Sequence, residues 1–305
     1  MSEDTGVKQY AKIDSHEEEE LKNHLAGNEL AQAGRLKEAV VKWELSLETA
    51  PYFVPTLYNL GVAYYQIQEL SKAAAYFSEV LKLEPDHADA NYGLGLACFG
   101  MQQFESALEA FQKVLAITPG HAEALNNIGL LLAQQQRYQE ALTYFSQAIE
   151  AKSEFADAYF NLGTTQYELG QFEEGITSLI QAIKYEPEFF MAHLNLGLCY
   201  FRKAEYAEAE KVFQQVSKQQ PEYFVPYFNL GLVYYNWGKY QEALDCFMKA
   251  GENGLDSPML DYNLGMVYAA LGKISKAHQS WEDVLKVTSE GPLANEVRKQ
   301  LASWQ

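Results

Sequence analysis

Apolar positions in this chain fall at spacings of three and four, in stripes separated by short polar breaks. Between residues 227 and 250, Leu230, Gly231 and Tyr234 stand at i, i+1 and i+4. Tyr240, Ala243, Phe247 and Ala250 follow at steps of 3, 4 and 3. Both are helical periods, and the break Asn236-Trp237-Gly238-Lys239 between them predicts a turn. The same pair of stripes returns every 34 residues. Gly27, Gly61, Gly95, Gly129, Gly163, Gly197, Gly231 and Gly265 form one ladder at that step. Ala39, Ala73, Ala107, Ala141, Gly175, Ala209, Ala243 and Ala277 form a second. Trp43, Phe77, Phe111, Phe145, Leu179, Phe213, Phe247 and Trp281 form a third. Proline at 51, 85, 119, 187 and 221 ends the second stripe, because it lacks an N–H and clashes with the preceding turn. The pattern predicts an all-α chain of helix pairs in units 20–53, 54–87, 88–121, 122–155, 156–189, 190–223, 224–257 and 258–291, with the first helix starting near residue 15.

Leu-Gly-x-x-Tyr, then Ala-x-x-x-Phe, then Pro, at this period, resembles the tetratricopeptide repeat over about nine-tenths of the chain. The resemblance implies a right-handed superhelical solenoid of helix-turn-helix repeats. The residues themselves fit that picture. Glycine suits a close helix crossing, the small residue of the second helix receives the first, and the aromatic fills the gap towards the next repeat. One pair alone leaves an apolar face bare, so the units must stack. Some repeats depart from the pattern. Ser153, Leu255 and Ser289 stand where the helix-ending proline is expected. Asn253-Gly254 predicts a left-handed cap in its place, with Ser257-Pro258 opening the next helix. Gly175 and Leu179 predict that the fifth repeat is the softest joint.

The ends read differently. Residues 1–14 form a polar, acidic tail without periodicity and are expected to be disordered. Ser15 and Glu18 fit a capping box that opens the first helix, the following acids suiting its first turn; a partner-binding acidic tail is the alternative. Residues 292–305 predict a capping helix with Leu293, Val297, Leu301 and Trp304 on one stripe.

Charge narrows the partners. With 23 Lys and Arg against 41 Asp and Glu, the net charge is −18, which repels phosphate backbones. Nucleic acid and anionic membrane surfaces are therefore not expected as partners. No apolar run approaches a membrane helix or a signal peptide. Cys98, Cys199 and Cys246 lie far apart, which fits a reduced compartment and a cytoplasmic location. No phosphate loop, dinucleotide fingerprint, GxSxG or HExxH is present. His87 and His121 share one slot between repeats and read as turn residues, while His16, His24, His193 and His278 fall in four other slots. Cys98 and Cys199 read as core thiols. No catalytic residue, metal site or small-molecule cofactor is expected, and the chain is not read as an enzyme.

The resemblance further implies that the first helices line a concave groove. With Glu20 as position 1, its inward slots are positions 2, 5, 6, 9, 12 and 13. Position 6 holds Asn59, Asn127, Asn161, Asn195, Asn229 and Asn263 in six of eight repeats. Position 5 holds the rings of Tyr58, Tyr92, Phe160, Phe228 and Tyr262. Position 12 holds those of Tyr65, Phe99, Tyr167, Phe201 and Tyr235. Position 9 is mostly apolar, and the charged slots are Asp89, Glu123, Asp157, Glu168 and Arg202. Family members that hold chaperone C-termini clamp a carboxylate with Lys and Arg here; Arg202 alone does not make such a clamp. The pattern is closer to the asparagine ladders of members that hold extended peptides. A carboxamide both donates and accepts, so it can pair with any peptide backbone. Helices stack about 8–10 Å apart and an extended chain advances roughly 3.3 Å per residue, so one asparagine meets about every third peptide residue. Asp89, Glu123 and Asp157 favour basic residues near the ligand's middle.

These readings predict a non-catalytic protein-interaction scaffold or assembly factor that holds a partner polypeptide in the groove. Several alternatives stay open: a regulatory or substrate-recruiting subunit of a separate enzyme, a peptide sensor, and a chaperone-like factor for assembling a membrane complex such as a photosystem. Asparagine and rings in these slots also occur in repeats without a ligand, so generic packing and self-association stay open too.

Overall fold

A computed structural model describes the backbone of residues 15–304 and the side chains from Glu19 onwards. The expected disorder of residues 1–14 and the Ser15–Glu18 capping box lie outside the described residues. Among the described residues every regular element is an α-helix, 17 in all, and none is a strand. They form two compact units, one up to Ala151 and one from Lys152.

The first unit contains α1 (Ser15–Gln32), α2 (Leu36–Thr49), α3 (Val54–Gln66), α4 (Leu70–Leu83), α5 (Ala88–Gly100), α6 (Phe104–Ile117), α7 (Ala122–Gln134) and α8 (Tyr138–Ala151). The second contains α9 (Ala156–Glu168), α10 (Phe172–Tyr185), α11 (Phe190–Arg202), α12 (Tyr206–Gln219), α13 (Phe224–Asn236), α14 (Tyr240–Glu252), α15 (Pro258–Ala270), α16 (Ile274–Val287) and α17 (Pro292–Ser303). Within each unit, consecutive helices pack as hairpins stacked side by side, the solenoid arrangement that the period predicts.

Each hairpin closes through one left-handed residue. Gly34, Gly170, Gly238 and Gly272 fill this slot with φ between 71° and 80°. After α13, the Gly238 N–H donates to the Tyr235 carbonyl (3.1 Å) and the Lys239 N–H to that of Tyr234 (2.9 Å), satisfying carbonyls the helix end would leave bare. Gln68, Gln102, Gln136 and Ala204 adopt the same conformation at φ 59–64°. A side chain there crowds the following carbonyl by about 1–2 kcal/mol. Ala204→Gly is therefore expected to stabilise the chain by about 1 kcal/mol, read as a rise in the urea midpoint of unfolding; an unchanged or lower midpoint would count against this account of the turn.

The core follows the glycine and aromatic ladders. Phe77, Phe111, Phe145, Phe213, Phe247 and Trp281 are almost wholly buried. Each lies so close over the glycine of its own hairpin that a Cβ there would clash: 2.5 Å from the Phe111 ring at Gly95, and 2.6 Å from the Phe213 ring at Gly197. Phe77 also reaches the next repeat, where a Cβ on Gly93 would stand 2.5 Å from its ring. That contact explains the glycine that interrupts the asparagine row in the third repeat.

The fifth repeat closes differently. Leu179 is fully buried. A Cβ on Gly163 would meet the Leu179 Cγ at 2.7 Å and the Gly175 carbonyl oxygen at 3.1 Å. Two glycines thus let backbone approach backbone where the other repeats insert a ring.

The loops between repeats carry caps. His87 and His121 are N-caps whose Nδ1 accepts from the N–H of Ala90 and Ala124, each at 3.2 Å. Gly254 is left-handed at φ 94°, and Ser257 Oγ accepts from the Leu260 N–H at 3.3 Å ahead of Pro258. Both match the sequence reading. At the C-terminal end, Ala294 and Val297 are buried, and Leu293 and Leu301 pack with the Trp281 cluster. Trp304, read as part of that stripe, is instead 43% exposed: it is the C-cap residue, where the helical register has ended.

Candidate functional site

The six position-6 asparagines are all half-buried on first helices, α3 and α7 in one unit and α9, α11, α13 and α15 in the other. Helix geometry sets them beside positions 2 and 9 on the same face. Their amides are not equivalent. Asn59 Nδ2 donates to Asn28 Oδ1 at 2.9 Å, and Asn195 Nδ2 to Thr164 Oγ1 at 2.8 Å. Asn28 and Thr164 are the two polar residues at position 9, so each lies one repeat back from an asparagine that uses it. Asn127 has apolar Leu96 in that place and donates to Tyr92 Oη at 3.2 Å. Asn263 turns back to its own helix and donates to the Met259 carbonyl at 2.7 Å. Asn161 also has a polar partner. The Asn229 side chain makes no hydrogen bond among the described residues; Leu194 and Leu198 stand where Tyr92 serves Asn127 and Thr164 serves Asn195. The row therefore does two jobs. Several members spend one amide hydrogen on holding adjacent first helices together, and Asn229 keeps its whole carboxamide unengaged.

The rings are placed more deeply than a groove floor. Tyr58 lies between the Phe77 ring (5.9 Å between centroids) and the stacked His87 ring (5.3 Å). Tyr92 repeats this with Phe111 and His121, Phe160 packs on Phe189 at 4.7 Å, and Phe228 packs on Phe247 at 5.5 Å. Tyr262 is half-buried, and its carbonyl accepts from Trp281 Nε1 at 3.3 Å. The position-12 rings pair across their own hairpin: Phe99 with Phe104, Tyr167 with Phe172, Phe201 with Tyr206, and Tyr235 with Tyr240, at 5.6–6.3 Å. Tyr65 is half-buried and packs against the first core cluster. Each of these rings shows the face only part of its surface.

A polar network not visible in the repeat pattern sits at the start of the first unit. Asn28 Nδ2 meets His24 Nε2 at 3.0 Å, and His24 Nδ1 meets Thr56 Oγ1 at 2.8 Å. Trp43 Nε1 donates to Asn28 Oδ1 at 3.1 Å beside the bond from Asn59. With Nε2 accepting from the amide, Nδ1 carries the proton and donates to Thr56, so the ring is neutral. Burial holds its pKa below the ordinary value of 6.5. The sign follows from linkage. The unfolded ring takes a proton at higher pH than the folded one, so this stability is present above about pH 6.5 and is lost as pH falls. The expected slope between pH 6.5 and 5 is at most about 1.4 kcal/mol per pH unit from this group. Urea midpoints of the wild type and His24→Gln at pH 7.5 and 5 check it; equal pH losses in both proteins would contradict the assignment.

The remaining candidates are engaged in structure. Arg202 lies over the Tyr167 and Phe172 rings and donates to Tyr167 Oη at 3.2 Å. Lys203 bridges Glu173 and Glu205 at 3.0 and 2.7 Å. His193 Nε2 donates to the Pro187 carbonyl at 2.9 Å, tying a first helix to the loop before it. Burial pushes the Cys199 thiol up to about 11 and that of Cys246 up to about 12, so neither is a thiolate near neutral pH. Of the slot acids, Asp89 and Asp157 are exposed, and Glu123 lies 3.5 Å from His121. Among the described residues no three His, Cys, Asp or Glu side chains converge on a metal position, and no helix is long and apolar enough to cross a membrane.

Stacked 34-residue hairpins with a patterned first-helix face define a helical repeat protein of the kind that generally serves as a protein-interaction scaffold. The tetratricopeptide repeat profile matches residues 58–122, 99–159 and 160–224, and a second profile of that repeat matches 225–250. The chain belongs to the tetratricopeptide repeat family. Solved structures agree. A tetratricopeptide repeat protein from Parabacteroides merdae is 18% identical with a TM-score of 0.61, covering 82% of this chain and 99% of its own. PilF from Pseudomonas aeruginosa is 19% identical with a TM-score of 0.60, over 70% of this chain and 97% of its own. YrrB, described as a tetratricopeptide repeat protein with an unusual peptide-binding site, is 24% identical with a TM-score of 0.50, over 57% of this chain and 90% of its own. At these identities the likeness shows the fold alone. No curated protein matches the chain in sequence.

Proposed function

We propose that this chain is a non-catalytic cytoplasmic scaffold or assembly factor that holds a partner polypeptide along its first-helix face. Residues 20–291 would be the eight binding repeats, with residues 292–305 closing the stack. The observation that carries the reading is the state of the asparagine row. Asn59, Asn127, Asn195 and Asn263 each commit a single amide hydrogen, and Asn229 commits none. Carbonyl oxygens and further N–H groups are left over, which is what pairing with a peptide backbone requires. Apolar Leu198, Leu232 and Met266 lie one turn along from Asn195, Asn229 and Asn263, and supply contact area beside them. The peptide-binding site described for YrrB supports the same use of the fold. Each backbone bond contributes only about 0.5–1.5 kcal/mol, so apolar contact must supply most of the affinity. Panning a displayed library of random peptides against the full chain tests the proposal. Extended peptides that compete for one site are the expected result; a chain that enriches no peptide would overturn it.

A further inference from the structure

Between α1 and α3 lies a pocket of about 470 Å³. Its polar lining is four carboxamides, Asn28, Gln32, Asn59 and Gln66, and its apolar walls include Leu36, Val62 and the Trp43 indole. We propose that this pocket seats an uncharged carboxamide side chain, glutamine or asparagine, of the bound polypeptide. The inference rests on the polypeptide-scaffold reading above and assigns a ligand chemistry to its first two repeats.

No charged side chain lines the pocket. A carboxylate, phosphate or ammonium seated there would lose water without gaining a counter-charge, which is strongly unfavourable. An aliphatic side chain would instead cover amides and leave them unpaired. What the pocket offers is a mixture of donors and acceptors, fixed in place at Asn28 and Asn59. Asn28 Oδ1 accepts from Trp43 Nε1 at 3.1 Å and from Asn59 Nδ2 at 2.9 Å, so both of its lone pairs are used. Its Nδ2 is held by His24 Nε2. That network locks Asn28, and Asn28 in turn orients Asn59, whose Oδ1 has no donor among the described residues. Gln32 and Gln66 are exposed at the rim and make no hydrogen bond among the described residues. A group that donates and accepts in one plane matches this set, and a primary carboxamide is that group.

The test uses the full chain and the library of displayed 12-residue peptides. The leading peptide is expected to carry glutamine or asparagine at one fixed position. Changing that residue to methionine or glutamate should weaken binding about tenfold or more. In the Gln32→Ala/Gln66→Ala variant, the original peptide should fall to the affinity of its methionine form. Both substitutions are at exposed rim positions, and an unchanged thermal midpoint confirms the fold; the two single variants serve if the double variant unfolds early. If peptides enrich without a carboxamide preference, or if the preference survives in the variants, the pocket assignment is overturned while the scaffold reading stands. If no peptide enriches, both fall.

Discussion

Replacing Phe213 by alanine is expected to lower stability by about 3–5 kcal/mol, the usual range for a buried ring with no room to collapse around its loss. Phe213 is fully buried, and its ring fills the space over Gly197 so closely that the glycine could not carry even a methyl group without the ring moving. Stability in a stacked-hairpin protein is held mostly between neighbours, so the hairpin of α11 and α12 would loosen first and its neighbours after it. The converse change, Gly197→Ala, should cost about 1–3 kcal/mol by overpacking the same contact. Urea unfolding of the two variants checks both. A loss under 1 kcal/mol for Phe213→Ala would mean that the hairpins are not held by these rings.

Replacing Asn161, Asn195 and Asn229 together by alanine should leave helicity intact and weaken binding of a library-selected peptide at least tenfold. Three backbone hydrogen bonds at about 0.5–1.5 kcal/mol each correspond to roughly ten- to a thousandfold in affinity. Asn195 and Asn229 should separate when changed singly. Asn229→Ala removes a carboxamide with no partner among the described residues, so it should weaken binding without moving the unfolding midpoint. Asn195→Ala also breaks the bond to Thr164, and should lower stability by about 0.5–1.5 kcal/mol. Calorimetric titration and thermal unfolding on the same samples distinguish the two roles.

The hairpins could be read from the sequence because each rests on a local rule repeated in register: Gly231 under Phe247 and a small residue at Ala243. The turn slot was only half legible. Gly34, Gly170, Gly238 and Gly272 advertise a left-handed residue, but Gln68, Gln102, Gln136 and Ala204 hold the same conformation because the hairpin around them imposes it. The asparagine row was legible as a row, but its division of labour was not. Where an amide is spent differs from one asparagine to the next: Asn59, Asn127 and Asn195 reach Asn28, Tyr92 and Thr164 one repeat back, while Asn263 turns to its own helix. Only polar Asn28 and Thr164, breaking an apolar position, signal any of this in the sequence. The ring depth was hidden for a similar reason: His87, His121 and Phe189, which cover Tyr58, Tyr92 and Phe160, lie near the repeat boundary and look like loop residues. The network around His24 joins residues at five different repeat positions, so no single ladder could show it.

The central claim is that the partner polypeptide lies along the first helices. Site-specific photocrosslinking to the selected peptide tests it most directly, with a benzophenone side chain placed in turn at Leu232 on α13, beside Asn229, and at Met248, 49% exposed on α14. The expected result is a crosslink from Leu232 that Asn229→Ala diminishes, and none from Met248. A crosslink from Met248 with Leu232 silent would put the partner on the second helices and contradict the account.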